Sequence, residues 1–165
     1  MRVLRVMVPV LTALAAVLVL APAASAATAA TAEIRGLEYA ATATEGRFGG
    51  AANGAVTGAW LATVVHDPLR KGKAVPITGG SFTLHRAGRD VSGTFVRGTV
   101  APLGTPSTCG NERFKVAGTL ALRGGGNGSF TVVLTHLRAQ TDSGCRTYGA
   151  VVVGSLTVPS RSAEA

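Results

Sequence analysis

The chain has 165 residues and a formal net charge of +8, and 47% of its residues are hydrophobic while only 5% are aromatic. Its basic residues are scattered except at Arg70, Lys71 and Lys73, so it lacks the basic stripe interleaved with aromatic side chains that nucleic-acid binding needs. We therefore expect no nucleic-acid partner, and a charge that serves solubility or loose attachment to an anionic cell-wall polymer.

Residues 1–26 have the order of charged and apolar residues that is typical of a secretory signal peptide. Arg2 and Arg5 precede an apolar run at residues 6–21, and the small-residue triplet Ala24-Ser25-Ala26 follows the run. This order predicts cleavage after Ala26, with the triplet at residues 30–32 as an alternative site. The run is short for a membrane span, so we expect a secreted, extracellular protein with no transmembrane segment after cleavage.

The rest of the chain has the pattern of one all-β domain. Apolar and polar residues alternate with period two, and no window of helical length shows a 3.6-residue period. We expect a flexible linker at 27–32, the β-domain at 33–158 and a disordered tail at 159–165. The predicted strands lie near Ile34–Ala43, Ala55–His66, Val75–His85, Val91–Leu103, Glu112–Leu122, Gly128–Gln140 and Cys145–Val158.

A short phrase, glycine followed by a small residue and then a large apolar residue, occurs six times. Successive large residues, which we call the anchors, are 22, 13, 25, 10 and 26 residues apart. Short and long gaps alternate when strands run up and down and every anchor lies near the same end of the sheet. The phrase therefore predicts an antiparallel meander of about seven to eight strands. The anchors are Trp60, Phe82, Phe95, Leu120, Phe130 and Leu156.

Turn rules predict how the anchors meet across hairpins. Side chains alternate along a strand, so the glycine two residues before each anchor shares its face. Six glycines at one height favour a strongly coiled sheet that closes, or nearly closes, into a barrel, with a two-layer β-sandwich as the alternative. The predicted pairs are Phe82 with Phe95, Phe130 with Leu156 and Leu120 with Phe130, through loops at 88–89, 142–144 and 123–127.

The two cysteines, Cys109 and Cys145, are expected to form a disulfide, because an even count in an exported chain favours one. The predicted register places both on the face opposite the anchors, with one strand between them. Strands two apart are nearly 10 Å away from each other, so the 104–111 loop must curl over the middle strand.

Several polar residues interrupt the apolar pattern. Arg97 lies two residues after an anchor, on the anchor face unless a bulge turns it outward. His66 and His136 each lie six residues after an anchor, so both imidazoles are predicted on one face at one end of the sheet. Nearby, the register aligns Glu112, Arg138 and Tyr148, which reads either as an exposed ion pair beside a tyrosine or as the mouth of a pocket.

The candidate catalytic residues are His136, His66 and Arg97, with a histidine for proton transfer and the arginine for an anionic group. His85 falls on the opposite face, so we expect no metal site, and no cofactor motif or familiar catalytic signature is present in the sequence. The candidate ligand-binding residues are Trp60, Arg97, Phe114, His136 and Tyr148.

The stretch 60–84, with His66-Asp67-Pro68, together with Leu134-Thr135-His136 and Cys145-x-x-Tyr148, resembles small secreted proteins of actinobacteria of unknown function. That resemblance implies no activity. The rhythm of glycine, small residue and aromatic residue is also similar to avidin-like barrels. With one tryptophan the chain lacks the aromatic cage on which biotin binding depends there, so only the architecture is implied.

Three functions fit these observations. The leading hypothesis is a secreted, non-enzymatic β-domain that binds a small apolar or anionic ligand or a cell-envelope component. The alternative is a cofactor-free barrel enzyme, such as a cyclase, isomerase or hydrolase, that uses a histidine base. The third is an extracellular inhibitor or interaction module, whose exposed loop would be 67–73 or 104–111.

Overall fold

The computed structural model describes residues 28–160, which form eight antiparallel strands in one closed barrel. Each strand pairs with the next, and β1 pairs with β8 to close the sheet. The predicted all-β meander is confirmed, and the barrel, not the sandwich, is the architecture present. The strands are β1 (Ala29–Ala41), β2 (Glu45–Gly54), β3 (Gly58–His66), β4 (Val75–Arg86), β5 (Arg89–Pro102), β6 (Glu112–Leu122), β7 (Asn127–Thr141) and β8 (Gly144–Pro159).

Two elements differ from the sequence prediction. Strand β2 was not predicted, because its four glycines interrupt the alternation of apolar and polar residues on which strand prediction depends. Strand β1 begins at Ala29, inside the segment predicted as a linker, and buries Ala30 and Ala32 beside β8. The predicted signal peptide lies outside the described residues. Between residues 28 and 160, no helix is long and apolar enough to span a membrane.

The barrel interior is apolar and nearly full. All six anchors are buried, and the described residues include no buried polar or charged side chain. Phe95 and Phe130 meet edge to face with ring centroids 5.1 Å apart. The remaining cavity among the anchors measures about 40 Å³, with Trp60 and Phe82 on its wall. That volume holds at most a few water molecules, so the interior is a core with no room for a metabolite.

The anchors share the inner face as predicted, but two of the three predicted pairs are wrong. Phe130 lies opposite Leu156, as expected. Phe82 instead lies opposite Gly93, and Phe130 lies opposite Gly118 on its other side. Both registers are offset by two residues because each turn lies one residue earlier than predicted. Arg86 pairs with Arg89 around residues 87–88, and Ala121 pairs with Asn127 around residues 122–126. The offset places a large side chain against a glycine, where two rings would crowd each other.

The six glycines of the repeated phrase lie where neighbouring strands approach each other closely. A Cβ atom built on any of the six would lie 3.0 Å or less from a carbonyl oxygen of the adjacent strand. Cβ atoms do not tolerate such contacts, so these positions allow the sharp coiling that an eight-stranded barrel needs. The glycines are Gly58, Gly80, Gly93, Gly118, Gly128 and Gly154.

The two ends of the barrel differ. One end, which we call the disulfide end, carries the four connections at residues 42–44, 67–74, 103–111 and 142–143. There the 103–111 loop crosses the end of β7, and Cys109 and Cys145 are bonded with Cα atoms 5.1 Å apart. The opposite end carries the other three connections and both ends of the described chain, where the Ser160 amide donates to the Thr28 carbonyl oxygen at 2.7 Å.

The disulfide itself confirms the expected pairing, but not the expected face. In β8 one extra residue, Tyr148, stands against the junction of Leu137 and Arg138. This bulge reverses the alternation, so Cys145 lies opposite Gln140 and shares its face. Strand β7 is regular from Phe130 onward, so that face is the continuation of the barrel interior. The disulfide therefore lies over the barrel end and not on the outer wall.

Candidate functional site

A cleft of about 690 Å³ lies at the disulfide end. Its two walls are the loops that the sequence had singled out as exposed, through residues 69–72 on one side and 104–109 on the other. Its floor is the end of the barrel, where Glu112, Phe114 and Arg138 line it. The disulfide holds the second wall in place, since both cysteines also line the cleft.

Positive charge dominates the lining of this cleft. Arg70 and Lys71 come from the first wall, and Arg138 comes from the end of β7. Arg113 also borders the cleft, but it pairs with Thr135 on the outer face of the sheet. The carboxylate among the described lining residues is Glu112, and it accepts a hydrogen bond from Arg138 Nη1 at 2.6 Å. Three cations, Arg70, Lys71 and Arg138, against one paired carboxylate leave a surplus of positive charge in a concave site. Such a site concentrates anions.

A chain of polar side chains begins in the cleft floor, at Glu112 and Arg138, and continues beneath it. Glu112 Oε2 lies 4.0 Å from His136 Nδ1, and His136 Nε2 lies 3.4 Å from Glu38 Oε2. The Phe114 ring packs on the imidazole, with ring centroids 5.3 Å apart. The side chains of Glu38 and His136 are only 12% and 19% exposed, so these charges interact in a partly desolvated setting. We call Glu38, His136, Glu112 and Arg138 the polar chain.

The strand registers explain why these residues meet. Glu112 lies opposite His136, His136 lies opposite Ala150, and Ala150 lies opposite Glu38. Each of four adjacent strands thus places one residue at the same height on the inner face. Because Ala150 is small, the imidazole and the Glu38 carboxylate can reach each other across it. Glu38 reaches this height beside His136 only because β1 pairs with β8 and closes the barrel.

The described residues contain no group of three or more histidine, cysteine or acidic side chains that could hold a metal ion. In the polar chain the reason is visible, since Glu112 is committed to Arg138. The arrangement is a set of alternating charges, with each ring nitrogen of His136 facing a carboxylate.

Arg97 and Tyr148, two of the predicted binding residues, do not belong to the site. A bulge in β5 pairs Arg97 with Thr119 on the outer face, so the outward alternative for Arg97 is the correct one. The bulge in β8 leaves Thr147 opposite Arg138, and Tyr148 is 68% exposed. The predicted ion pair between Glu112 and Arg138 is present, but the predicted alignment with Tyr148 is wrong.

The other predicted residues are distributed between the core and the rim. Trp60 is buried, and its Nε1–H donates to the Ala51 carbonyl oxygen at 3.1 Å, so it is a core residue. His66 lies opposite Ile77 on the inner face, with Nδ1 2.7 Å from the Asp67 carbonyl oxygen. His66 and His136 do share one face and one barrel end, but on β3 and β7, half the barrel apart.

Some site residues were missed by the sequence prediction. Glu38 was missed although Ala32, Ile34 and Gly36 alternate with polar residues before it, which places it on the inner face. Arg113 has no distinguishing signal, because its position at the cleft depends on how the loops fold. Phe114, by contrast, was a predicted binding residue, and it lines the cleft.

No protein family, curated protein sequence or solved structure matches this chain. The function must therefore be argued from the site.

Proposed function

We propose that this protein is a secreted, non-enzymatic binding domain that holds an anionic ligand in the cleft at the disulfide end. The observation that carries the proposal is the presence of Arg70, Lys71 and Arg138 around a concave site of about 690 Å³. A volume in this range is typical of small-molecule sites. The full interior directs the ligand to the barrel end, since a cavity of about 40 Å³ admits no metabolite.

Secretion is part of the proposal, and the strand boundaries favour one of the two cleavage sites. Ala30 and Ala32 are buried residues of β1, and both pair with β8. Cleavage after Ala26 leaves this strand whole. Cleavage after residue 32 would remove its first four residues and their pairing with β8. The disulfide agrees with an oxidising compartment.

The enzyme alternative receives less support from the geometry. Its three side chains do not converge, because Arg97 points outward and His66 lies half the barrel away from His136. A general base also needs a ring nitrogen that faces the substrate, and both nitrogens of His136 face carboxylates. An ionic binding role uses the same residues without this difficulty.

The binding proposal is tested with a fluorescent polyanion whose charge does not change with pH, such as pyrenetetrasulfonate. Fluorescence anisotropy at low salt should report binding to the mature protein. The double variant Arg70→Ala/Lys71→Ala should weaken binding about tenfold, since each exposed charge contact contributes up to ~1 kcal/mol. High salt should weaken binding by the wild type as well.

The matched control removes two charges from the opposite end of the barrel. Arg89→Ala/Arg123→Ala alters exposed side chains beside the β4–β5 and β6–β7 connections and lowers the net charge equally. Its affinity should stay within about twofold of the wild type, because the cleft is untouched. Equal losses in both double variants would mean that net charge alone attracts the probe, and the proposal would be wrong. Mass spectrometry of small molecules retained by the native protein would then identify the natural ligand.

A further inference from the structure

We infer that His136 couples anion binding in the cleft to pH, so that affinity rises when the imidazole takes up a proton. The inference rests on the proposed function, because it concerns the regulation of the same site. It is carried by the position of His136, one side chain below the cleft floor and between two carboxylates.

Each strand around His136 places one residue beside the imidazole or its partners, and these residues fix the charge around the ring. Strand β1 contributes Glu38 at 3.4 Å from Nε2, and β6 contributes Glu112 at 4.0 Å from Nδ1. Strand β7 contributes Arg138, which is bonded to Glu112. Strand β8 contributes Ala150, which is uncharged and lies opposite both His136 and Glu38. The imidazole is thus flanked by two negative groups, and the nearest cation is already engaged.

The charge of the polar chain depends on the protonation of His136. With neutral imidazole, two carboxylates and one guanidinium sum to one negative charge. With imidazolium the sum is zero, and both N–H groups point toward carboxylate oxygens. Histidine is the side chain suited to such a pH-dependent change of charge.

The change is transmitted to the cleft through Glu112. One oxygen of this carboxylate accepts from Arg138, and the other faces the imidazole. When the imidazole is neutral, Glu112 neutralises Arg138 and reduces its attraction for a ligand. When the imidazole is charged, Glu112 is shared between two cations, and Arg138 can attract an anion more strongly. Glu112 and Arg138 both line the cleft, so no conformational change is required.

The coupling is reciprocal, because an effect of the proton on anion affinity requires an equal effect of the anion on proton affinity. For one unit of charge just beneath a partly exposed site, we expect the affinity for the anion to change on the order of fivefold. The direction is fixed by the sign of the charge: binding is tighter at low pH.

The chain contains three histidines, which allows a clean test. His85 is exposed, pairs with Asp90 at 3.1 Å and lies beside the β4–β5 connection at the far end of the barrel. It therefore serves as the matched control for His136. Binding of pyrenetetrasulfonate is measured from about pH 8 to about pH 5.5, where its sulfonates remain ionised. The variants are His136→Gln and His85→Gln, each checked for folding by thermal unfolding.

We expect the wild type and His85→Gln to bind the probe about fivefold more tightly at the lower pH. His136→Gln should bind with one nearly constant affinity, close to that of the wild type at high pH. A pH dependence that survives in His136→Gln overturns the inference while leaving the anion site intact. Absence of binding at every pH in the wild type instead overturns the proposed function.

A second variant keeps the test valid if His136→Gln does not fold. Glu38→Gln removes the carboxylate nearest to Nε2 and does not itself line the cleft. The imidazole then loses one of its two carboxylate neighbours, so the dependence of affinity on pH should differ from that of the wild type. An unchanged profile in this variant would contradict the role of the polar chain.

Discussion

Trp60 fits inside the barrel because strands β1 and β2 carry glycines at its level. The register places Trp60 opposite Gly50, and Gly50 opposite Gly36. A Cβ atom on Gly36 would lie 2.6 Å from Cζ2 of the indole, and it would also collide with the carbonyl group of Gly49. The indole therefore occupies the space that a side chain at Gly36 would need.

This packing predicts the effect of a single methyl group. Gly36→Ala should lower the free energy of unfolding by about 1–3 kcal/mol, since the added atom meets backbone that cannot move aside freely. Gly79→Ala is the control, because a Cβ there meets nothing within 4 Å. Urea unfolding of both variants checks the prediction. A Gly36→Ala protein as stable as Gly79→Ala would show that the indole is not confined.

Side-chain direction was predictable wherever a strand is regular. The anchors and His136 follow the alternation, and all lie on the inner face. Arg97 follows a bulge and Tyr148 is itself the extra residue of another, and each bulge reverses the alternation. A bulge leaves little trace in the sequence, so the position of such residues cannot be derived from spacing alone.

At the scale of elements, the 103–111 loop is the part of the molecule that most depends on a covalent bond. It has no strand partner of its own over residues 104–108, and Cys109 connects it to the start of β8. Because the loop forms one wall of the cleft, the disulfide serves both stability and the proposed binding site.

The double variant Cys109→Ser/Cys145→Ser should be less stable by about 3–4 kcal/mol in the chain-entropy account of disulfides. Its affinity for the anionic probe should also fall, because the loop is released from the cleft. Chemical denaturation and anisotropy measure the two effects. Loss of stability with unchanged affinity would mean that the wall is held by its other contacts.

The position of strand β1 predicts where the signal peptide is cleaved. If the signal peptide is removed so that the barrel can close completely, the secreted protein begins at Ala27, two residues before the strand. Amino-terminal sequencing of protein from the culture medium measures this directly. A start at Glu33 would instead mean that the barrel closes without its first four β1 residues.

At the scale of the whole molecule, local rules predicted the meander but not its closure. Hairpin lengths relate each strand to the next, which is why the order of strands follows from the sequence. The stagger around the barrel and the pairing of β1 with β8 depend on all strands together. Glu38 meets His136 only through that closing pair, so the polar chain could not be predicted even though Glu112, His136 and Arg138 were singled out.

The first and last described residues lie at one end of the barrel, so the barrel has a defined orientation relative to them. Thr28 and Ser160 are hydrogen-bonded neighbours at the end opposite the cleft. A tag, a fusion partner or a solid support attached next to Thr28 or Ser160 would therefore hold the barrel with its charged opening directed away from the attachment point. For immobilised binding assays, a linkage beside either residue thus leaves the proposed ligand site accessible.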